Sequence, residues 1–444
     1  MLEKSNINLI YDMAHEADQW EVFFTDYASN EHVYKADVKK LRTYIDEKKY
    51  LDVLGSYEQT GAFPVPQLKM LNKKGTEKKR VVFSFDEDAS WLLKFFGYFL
   101  HAYDDIFSDN LYSFRKERSV KTAVARLLKK KNLSDMYGVK LDIHDYFNSA
   151  DTEMIIAKLN ETLTEQEILL KLFENILRNP NIKSVSNNIH DESIDEDVDD
   201  DDDTEYHDSN TDENTITKKV QQAVTEITSP VHKGMMAGSP LSPFLANLYL
   251  DDMDKYFEDN CYFYARYSDD IIFFTDSKEN RQHLMDEALR IIEEHKLTLN
   301  PDKLSYIDPG HSFEFLGFSF NNDTVDVSAT SFDKIKKKLR RKSRAVLRWK
   351  LKKAADPEKA AKVFIRYFNR KFFENPVKSE LTWCRWYFPI ITTDVSLREI
   401  DHYMQECIRF IYTGKHTKRN YNLRYEDIKK IGYRSLVNEF HKSS

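Results

Sequence analysis

The sequence predicts an α+β fold. Short runs of β-branched and aromatic residues stand between long stretches of helical period. The two kinds of segment alternate irregularly, not as a regular strand–helix repeat, and no internal repeat is visible. With 444 residues, of which 41% are hydrophobic and 13% aromatic, the chain can bury a large core in two or three packed units.

Polar helical segments run from the N-terminus to about residue 60. "GAFPVPQ" then turns the chain, because Pro64 and Pro66 break any helix, and a boundary is expected there. "KKRVVFSF" (78–85) reads as a strand entering the apolar helix "ASWLLKFFGYFLHAYDDIF", whose aromatics are expected in the core. "GVKLDIHDYFNSA" (138–150) opens as a β-branched strand that ends at Asp142, and "DTEMIIAKLNETLTEQEILLKLFENILRN" continues as helix. "GMMAGSPLSP" is a turn of Gly, Ser and Pro that opens the helix "FLANLYLDDMDKYF". "FYARYSDDIIFF" (263–274) is a hairpin with Asp269 and Asp270 at its tip. An amphipathic helix (about 278–296), the turn "LNPDK", a hairpin of "SFEFLGFSF" with "TVDVS", and a helical C-terminal third follow.

The net charge of −8 hides two opposed concentrations. Residues 191–213 hold 14 acids and no Lys or Arg, and without them the rest of the chain carries +6. Such a run cannot bury enough apolar surface to offset its ordering entropy, so a disordered surface insertion over about 184–217 is expected. Residues 334–353 hold 12 Lys or Arg and no acid. Ile335, Leu339, Ala345, Val346 and Trp349 fit one helical face loosely, leaving most of the circumference cationic and suited to a phosphate backbone. No stretch approaches the roughly 18–20 apolar residues of a membrane span, and the N-terminus lacks the apolar core of a signal peptide. A cytoplasmic location without membrane contact is expected. Cys261, Cys384 and Cys407 are far apart and form no CxxC pair, which predicts buried thiols in place of a disulfide framework or zinc site.

Two adjacent carboxylates at the tip of an apolar hairpin raise the question of what offsets their repulsion. In a dry pocket both would not stay ionised, and a bound cation removes the conflict. Asp142, at the end of another strand, completes an all-oxygen set suited to a hard divalent ion, typically magnesium. Two such ions about 3.5–4 Å apart activate a hydroxyl and stabilise a leaving oxygen in phosphoryl displacement. The other adjacent aspartates, in "HAYDDIF" and "YLDDMD", are expected to be solvated or to cap helices.

A set of motifs in fixed order makes the chain resemble reverse transcriptases. "LDIHDYFNSA" is similar to their first palm motif, "GMMAGSPLSPFLANLYL" to the second, "YSDD" to the third, "LTLNPDK" to the fourth and "FEFLGF" to the fifth. Upstream, "KKGTEKKR" and "NLYSFRKERSV" resemble the finger motifs of the group II intron and bacterial branches, so the resemblance covers roughly 62–320. It implies a right-hand polymerase: a helical N-terminal extension (1–61), fingers (62–137), a palm whose antiparallel sheet is flanked by helices and carries the acidic insertion (138–330), and a basic helical thumb (331–444). Carried over by motif, Asp142, Asp269 and Asp270 match the catalytic metal triad for two Mg2+, with Mn2+ as an alternative, and the Ile143 carbonyl completes one shell.

Lys73 and Arg80 match the finger pair that grips the incoming triphosphate, with Asp145, Tyr146, Phe147, Ala237, Gly238 and Lys303 around the dNTP and Lys303 near the leaving pyrophosphate. Template and primer contacts fall to Arg115, Tyr267, Phe315, Leu316, Gly317, Lys337, Arg341, Arg344 and Arg348. The Phe147 ring would block a 2′-hydroxyl, which points to DNA synthesis. Ala237 stands where these enzymes often have Gln, a change that bears on base selectivity. The absence of an endonuclease pattern and of the NAxxH and VTG retron signatures points toward the unclassified, defence-associated bacterial branch. The implied partners are an RNA template, nascent DNA, dNTPs and a cognate non-coding RNA, and an oligomer is compatible. The competing readings are an RNA-templated RNA polymerase and a non-catalytic nucleic-acid-binding module.

Overall fold

The computed structural model describes residues 9–30, 33–72, 79–179, 183–186, 233–322, 324–374, 382–415 and 422–443. The acidic run 191–213 and Lys73 lie outside them. The chain divides into two compact units: Met1–Asp26, Lys39–Ala123 and Tyr137–Tyr306 form the first, and Tyr27–Val38, Val124–Met136 and Ile307–Ser444 the second.

Four helices lead the chain, α1 (Ile10–Met13), α2 (Ala17–Ser29), α3 (Lys35–Asp46) and α4 (Lys49–Thr60). In the first unit an aromatic cluster anchors them: the Trp20 indole, fully buried, stacks on Phe95 at 4.3 Å and on Tyr50 at 4.8 Å. Strand β1 (Gln67–Asn72) pairs antiparallel with β2 (Lys79–Ser84). The apolar helix α5 (Glu87–Leu100) follows, started by Asp86, whose carboxylate accepts from the Ala89 amide. Eight of its side chains are buried, as its composition predicts. After α6 (Val120–Lys129) comes β3 (Tyr137–Asp142), then the short α7 (Tyr146–Ser149), α8 (Thr152–Thr162) and α9 (Glu167–Arg178).

The single helix expected from 151 to 179 is broken between α8 and α9. Gln166, buried there, accepts from the Ile10 amide and donates to the Tyr103 hydroxyl, a tertiary requirement that periodicity does not show. Strand β4 (Lys183–Ser186), not anticipated, pairs parallel with β1 to give the order β2-β1-β4. The helix expected after the Gly-Ser-Pro turn is likewise two, α10 (Ser242–Tyr249) and α11 (Asp251–Asn260), parted at Leu250.

Strands β5 (Phe263–Tyr267) and β6 (Asp270–Thr275) form the predicted hairpin, followed by α12 (Lys278–Glu294) and β7 (Ser305–Ile307). The sheet order is β5-β6-β3-β7, with β6 between β5 and β3. Ile271, Ile272, Phe273 and Phe274 of β6 have no exposed surface, so both faces of this strand are covered, each side chain contributing about 1.5–3 kcal/mol of burial.

In the second unit, β8 (Phe313–Phe315), β9 (Phe318–Asn321) and β10 (Thr324–Val327) form a three-stranded antiparallel sheet. It leads into α13 (Ala329–Lys352), started by Ser328, whose hydroxyl accepts from the Ser331 amide. Helices α14 (Pro357–Phe372), α15 (Trp383–Tyr387), α16 (Val395–Thr413), α17 (Tyr425–Lys430) and α18 (Leu436–Ser443) complete it. Helix α13 buries Ile335, Leu339, Ser343 and Val346. Cys384 and Cys407 are buried thiols, while Cys261 is half-buried. Among the described residues no helix is long and apolar enough to cross a membrane.

Candidate active site

The register of the β5-β6-β3 sheet decides which side chains share the site. Asp142 pairs with Asp270 across β3 and β6, and Asp270 pairs with Tyr267 across β6 and β5. Asp269 is carried by the turn between β5 and β6, where Ser268 has a φ of 59°. The Ile143 amide donates to the Asp269 carbonyl at 3.2 Å, closing the end of the sheet over the turn. The expected carboxylates and Ile143 therefore come to one edge, with Tyr267 beside them.

Their electrostatics follow from burial and proximity. The Asp270 carboxyl is pushed up to about 6, first by burial, then by the charge of Asp269, with Asp142 adding to it and Lys140 and Lys303 opposing. Asp142 is 2% exposed and is held on both oxygens: Lys303 Nζ donates to Oδ2 at 2.5 Å, and Asn300 Nδ2 to Oδ1 at 3.2 Å. Burial works to lower the Lys303 pKa, but the bond to Asp142 and the neighbouring carboxylates outweigh it and hold the ammonium above its usual value. Among the described residues no three His, Cys, Asp or Glu side chains converge as they stand on one ion position. The donor set is nonetheless all oxygen, and burial together with the adjacent Asp269 and Asp142 charges disfavours a free Asp270 carboxylate, a cost that a hard divalent cation would relieve, so the residues fit such an ion.

Behind the hairpin lies a buried network that sequence reasoning missed. Arg266 and Asp254 have no exposed surface and pair through Nε at 2.7 Å and Nη2 at 2.5 Å. The same guanidinium donates to the carbonyls of Ala246, Asn247 and Ser268, and the Tyr264 hydroxyl donates to Asp254 at 2.7 Å. Asp254, the last residue of "YLDDMD" and outside its adjacent pair Asp251–Asp252, is the buried counter-ion, because an uncompensated guanidinium inside the sheet would be prohibitive. The signal available was an Arg in the middle of the apolar run "FYARY".

The residues expected around a nucleotide divide between surface and interior. Asp145, at φ 45° and exposed, accepts from Asn148, and the Phe147 ring is half-buried. Tyr146 is 2% exposed, and its hydroxyl donates to the Ala246 carbonyl at 2.6 Å, so it supports the site from beneath and offers no surface to a nucleotide. The Ala237 carbonyl accepts from the Phe83 amide of β2 at 2.7 Å. Gly238 lies at φ 92°, where an added Cβ would stand 3.0 Å from the Phe83 carbonyl, so only glycine fits this approach. Arg80 stands on β2 opposite Leu71. Arg115, expected on the template, is turned inward: its guanidinium donates to the carbonyls of Asp104, Ser108 and Leu111.

In the second unit, Leu316 (φ 50°) and Gly317 (φ 89°) form the β8–β9 turn, while the Phe315 ring, 1% exposed, belongs to that unit's core and is not presented to a primer. Lys337, Arg341, Arg344 and Arg348 lie on one exposed face of α13. With Arg340 they line a cavity of about 370 Å³ on α13.

No curated protein matches the chain. Among solved structures it is similar to telomerase from Candida albicans in complex with the TWJ fragment of telomeric RNA, at 13% identity and a TM-score of 0.37 over 90% of this chain and 70% of that one. It is similar also to apo telomerase from Candida tropicalis, at 12% identity and a TM-score of 0.40 over 90% of this chain and 66% of that one. The C-terminally truncated form of the latter gives 12% identity and a TM-score of 0.36 over 64% and 60%. Residues 71–320, more than half of the chain, match the model of reverse transcriptase (RNA-dependent DNA polymerase). The chain, an α+β protein of right-hand polymerase fold, therefore belongs to the reverse transcriptase family and is an RNA-directed DNA polymerase.

Proposed function

We propose that the chain copies RNA into DNA by two-metal nucleotidyl transfer, with Asp142, Asp269, Asp270 and the Ile143 carbonyl holding two Mg2+ ions, or Mn2+ in their place. The observation that carries this reading is the register pair Asp142–Asp270, with Asp270 pushed up to about 6 by burial and by its carboxylate neighbours. When bound, the ions supply activation of the primer 3′-hydroxyl and charge stabilisation of the leaving pyrophosphate. Lys303, already at Asp142, supplies a fixed positive charge on the same side of the site. The half-buried Phe147 ring presents bulk where a ribose 2′-hydroxyl would need space, which favours dNTPs. Lys73 and Arg80 grip the triphosphate, and the cationic face of α13 follows the phosphates of a template–primer duplex by shape and charge. The template is a cognate non-coding RNA, and the setting is cytoplasmic anti-phage defence in the bacterial branch whose finger motifs "KKGTEKKR" and "NLYSFRKERSV" resemble.

Purified protein with a primed RNA template, Mg2+ and either dNTPs or rNTPs tests the core of this reading. Wild type should extend with dNTPs, and Asp269→Asn should lose that activity by at least a hundredfold while keeping its melting temperature, since the change removes one of two repelling charges. Preferential rNTP incorporation would replace DNA synthesis by RNA synthesis, and near wild-type extension by Asp269→Asn would overturn the site. Sequencing the RNA that copurifies with the chain checks the template.

A further inference from the structure

Phe114 is held out in solvent by the residues on either side of it. Ser113, with no exposed surface, accepts from the Ser268 amide and donates to Asn247 Oδ1, and its own carbonyl accepts from Asn247 Nδ2. Arg115 is pinned by the three backbone carbonyls named above. Between these two anchors Phe114 takes a φ of 56°, the left-handed region that an aromatic L-residue avoids, with 37% of its surface exposed. Its ring centroid stands 6.3 Å from Phe147, edge-on at 81°, and 6.5 Å from Tyr267, tilted by 42°. Tyr267 is the register partner of Asp270.

A strained backbone that leaves more than a third of an apolar residue exposed costs stability that its two aromatic contacts offset only in part, and such strain persists where its surroundings over-determine it and function uses it. The Ser113 anchor is also the one that fixes Ser268, next to Asp269, so the ring and the carboxylates are set by one hydrogen-bond network. We propose that Phe114 is a stacking platform for a nucleobase seated beside the Asp142–Asp270 pair, completing an aromatic wall with Phe147 and Tyr267. The inference rests on the polymerase reading above. A flat, exposed ring accepts any base, because every base has a π-face, so the contact supports template-directed synthesis without favouring a sequence. The base comes either from the template–primer duplex or from the incoming nucleotide.

Three variants of the full chain test the proposal: Phe114→Gly, Phe114→Ala and Phe114→Tyr. The measurements are the Kd for a primed RNA template, by anisotropy, the KM for dNTP, and the melting temperature. Stacking predicts a loss of about 5- to 150-fold in one binding constant for Gly and Ala, and near wild-type binding for Tyr. Phe114→Gly should melt no lower than wild type, because it also relieves the φ strain. A raised Kd assigns the base to the duplex, and a raised KM alone assigns it to the incoming nucleotide. Unchanged constants in Phe114→Gly, or a fall in melting temperature together with all binding, would overturn the proposal and make the ring a packing residue. The Kd arm is read without catalysis, so a wild-type chain that made no product would fail the polymerase reading while leaving this contact separately decided.

Discussion

A guanidinium with no exposed surface has to be matched charge for charge, and in Arg266 the matching also fixes the catalytic turn. Asp254 takes two of its donors and the carbonyls of Ala246, Asn247 and Ser268 take the rest, so the pair ties α10 to the Ser268–Asp269 turn. Removing one partner leaves the other charged and dry. Asp254→Ala should cost about 3–5 kcal/mol in urea unfolding, whereas the double change Arg266→Met, Asp254→Leu should cost less than that single one, because it buries no orphan charge. A single-variant cost under about 1 kcal/mol would mean that water reaches the pair. At this scale the sequence is legible where chemistry is local: Asp142, Asp269 and Asp270 stand out because carboxylates beside apolar strands need a reason. The role of Arg266 is not legible, since its counter-ion is twelve residues earlier on another element. Nor are the inward turns of Tyr146 and Arg115, since motif resemblance gives a residue's position along the chain but not the rotamer that its neighbours impose.

Elements are legible to the extent that their own periodicity decides them. The hairpin over 263–274 is set by local apolar patterning and appears close to the expected bounds, whereas the helix expected over 89–107 ends as an α-helix at Leu100 and continues as a 3-10 helix over His101–Ile106. The break at Gln166 and the short strand β4 answer to partners far along the chain and leave no local mark. Helix α13 shows both cases. Its basic face is plain in composition, yet the buried stripe runs through Ser343, with Ala345 and Trp349 only half-buried. Because Lys337, Arg341, Arg344 and Arg348 are exposed and line one cavity, changing all four to Gln keeps helix propensity while removing four candidate phosphate contacts. The slope of log K for primed RNA against log salt should then flatten by about 3, since each phosphate contact contributes roughly 0.7–0.9. Anisotropy titrations across salt concentrations read this directly, and an unchanged slope would leave α13 an ordinary solvated helix.

At the scale of the whole molecule, opposite charges are separated along the chain: 12 cations without an acid in 334–353, and 14 acids without a cation in 191–213. The acidic run lies outside the described residues, so its composition alone carries the argument. A polyanion tethered to an RNA-binding enzyme repels the substrate's phosphates at long range and competes for the same basic groups, so the net charge of −8 works against encounter. Deleting 191–213 brings the chain to +6. For a solvated connection the structural cost is small: halving a loop changes its closure entropy by only about 0.6 kcal/mol, and the deletion removes 23 of the 46 residues between Ser186 and Lys233. The melting temperature should therefore stay within a few degrees. Association with primed RNA at low salt should quicken by about tenfold or more, and the gain should fade as salt rises, because steering is screened beyond a Debye length of about 10 Å at 0.1 M. Stopped-flow association rates at several ionic strengths separate the outcomes. A gain that persists at high salt would mean that the run blocks a site by contact, and a lost fold or lost activity would mean that it docks as a structural part of the chain.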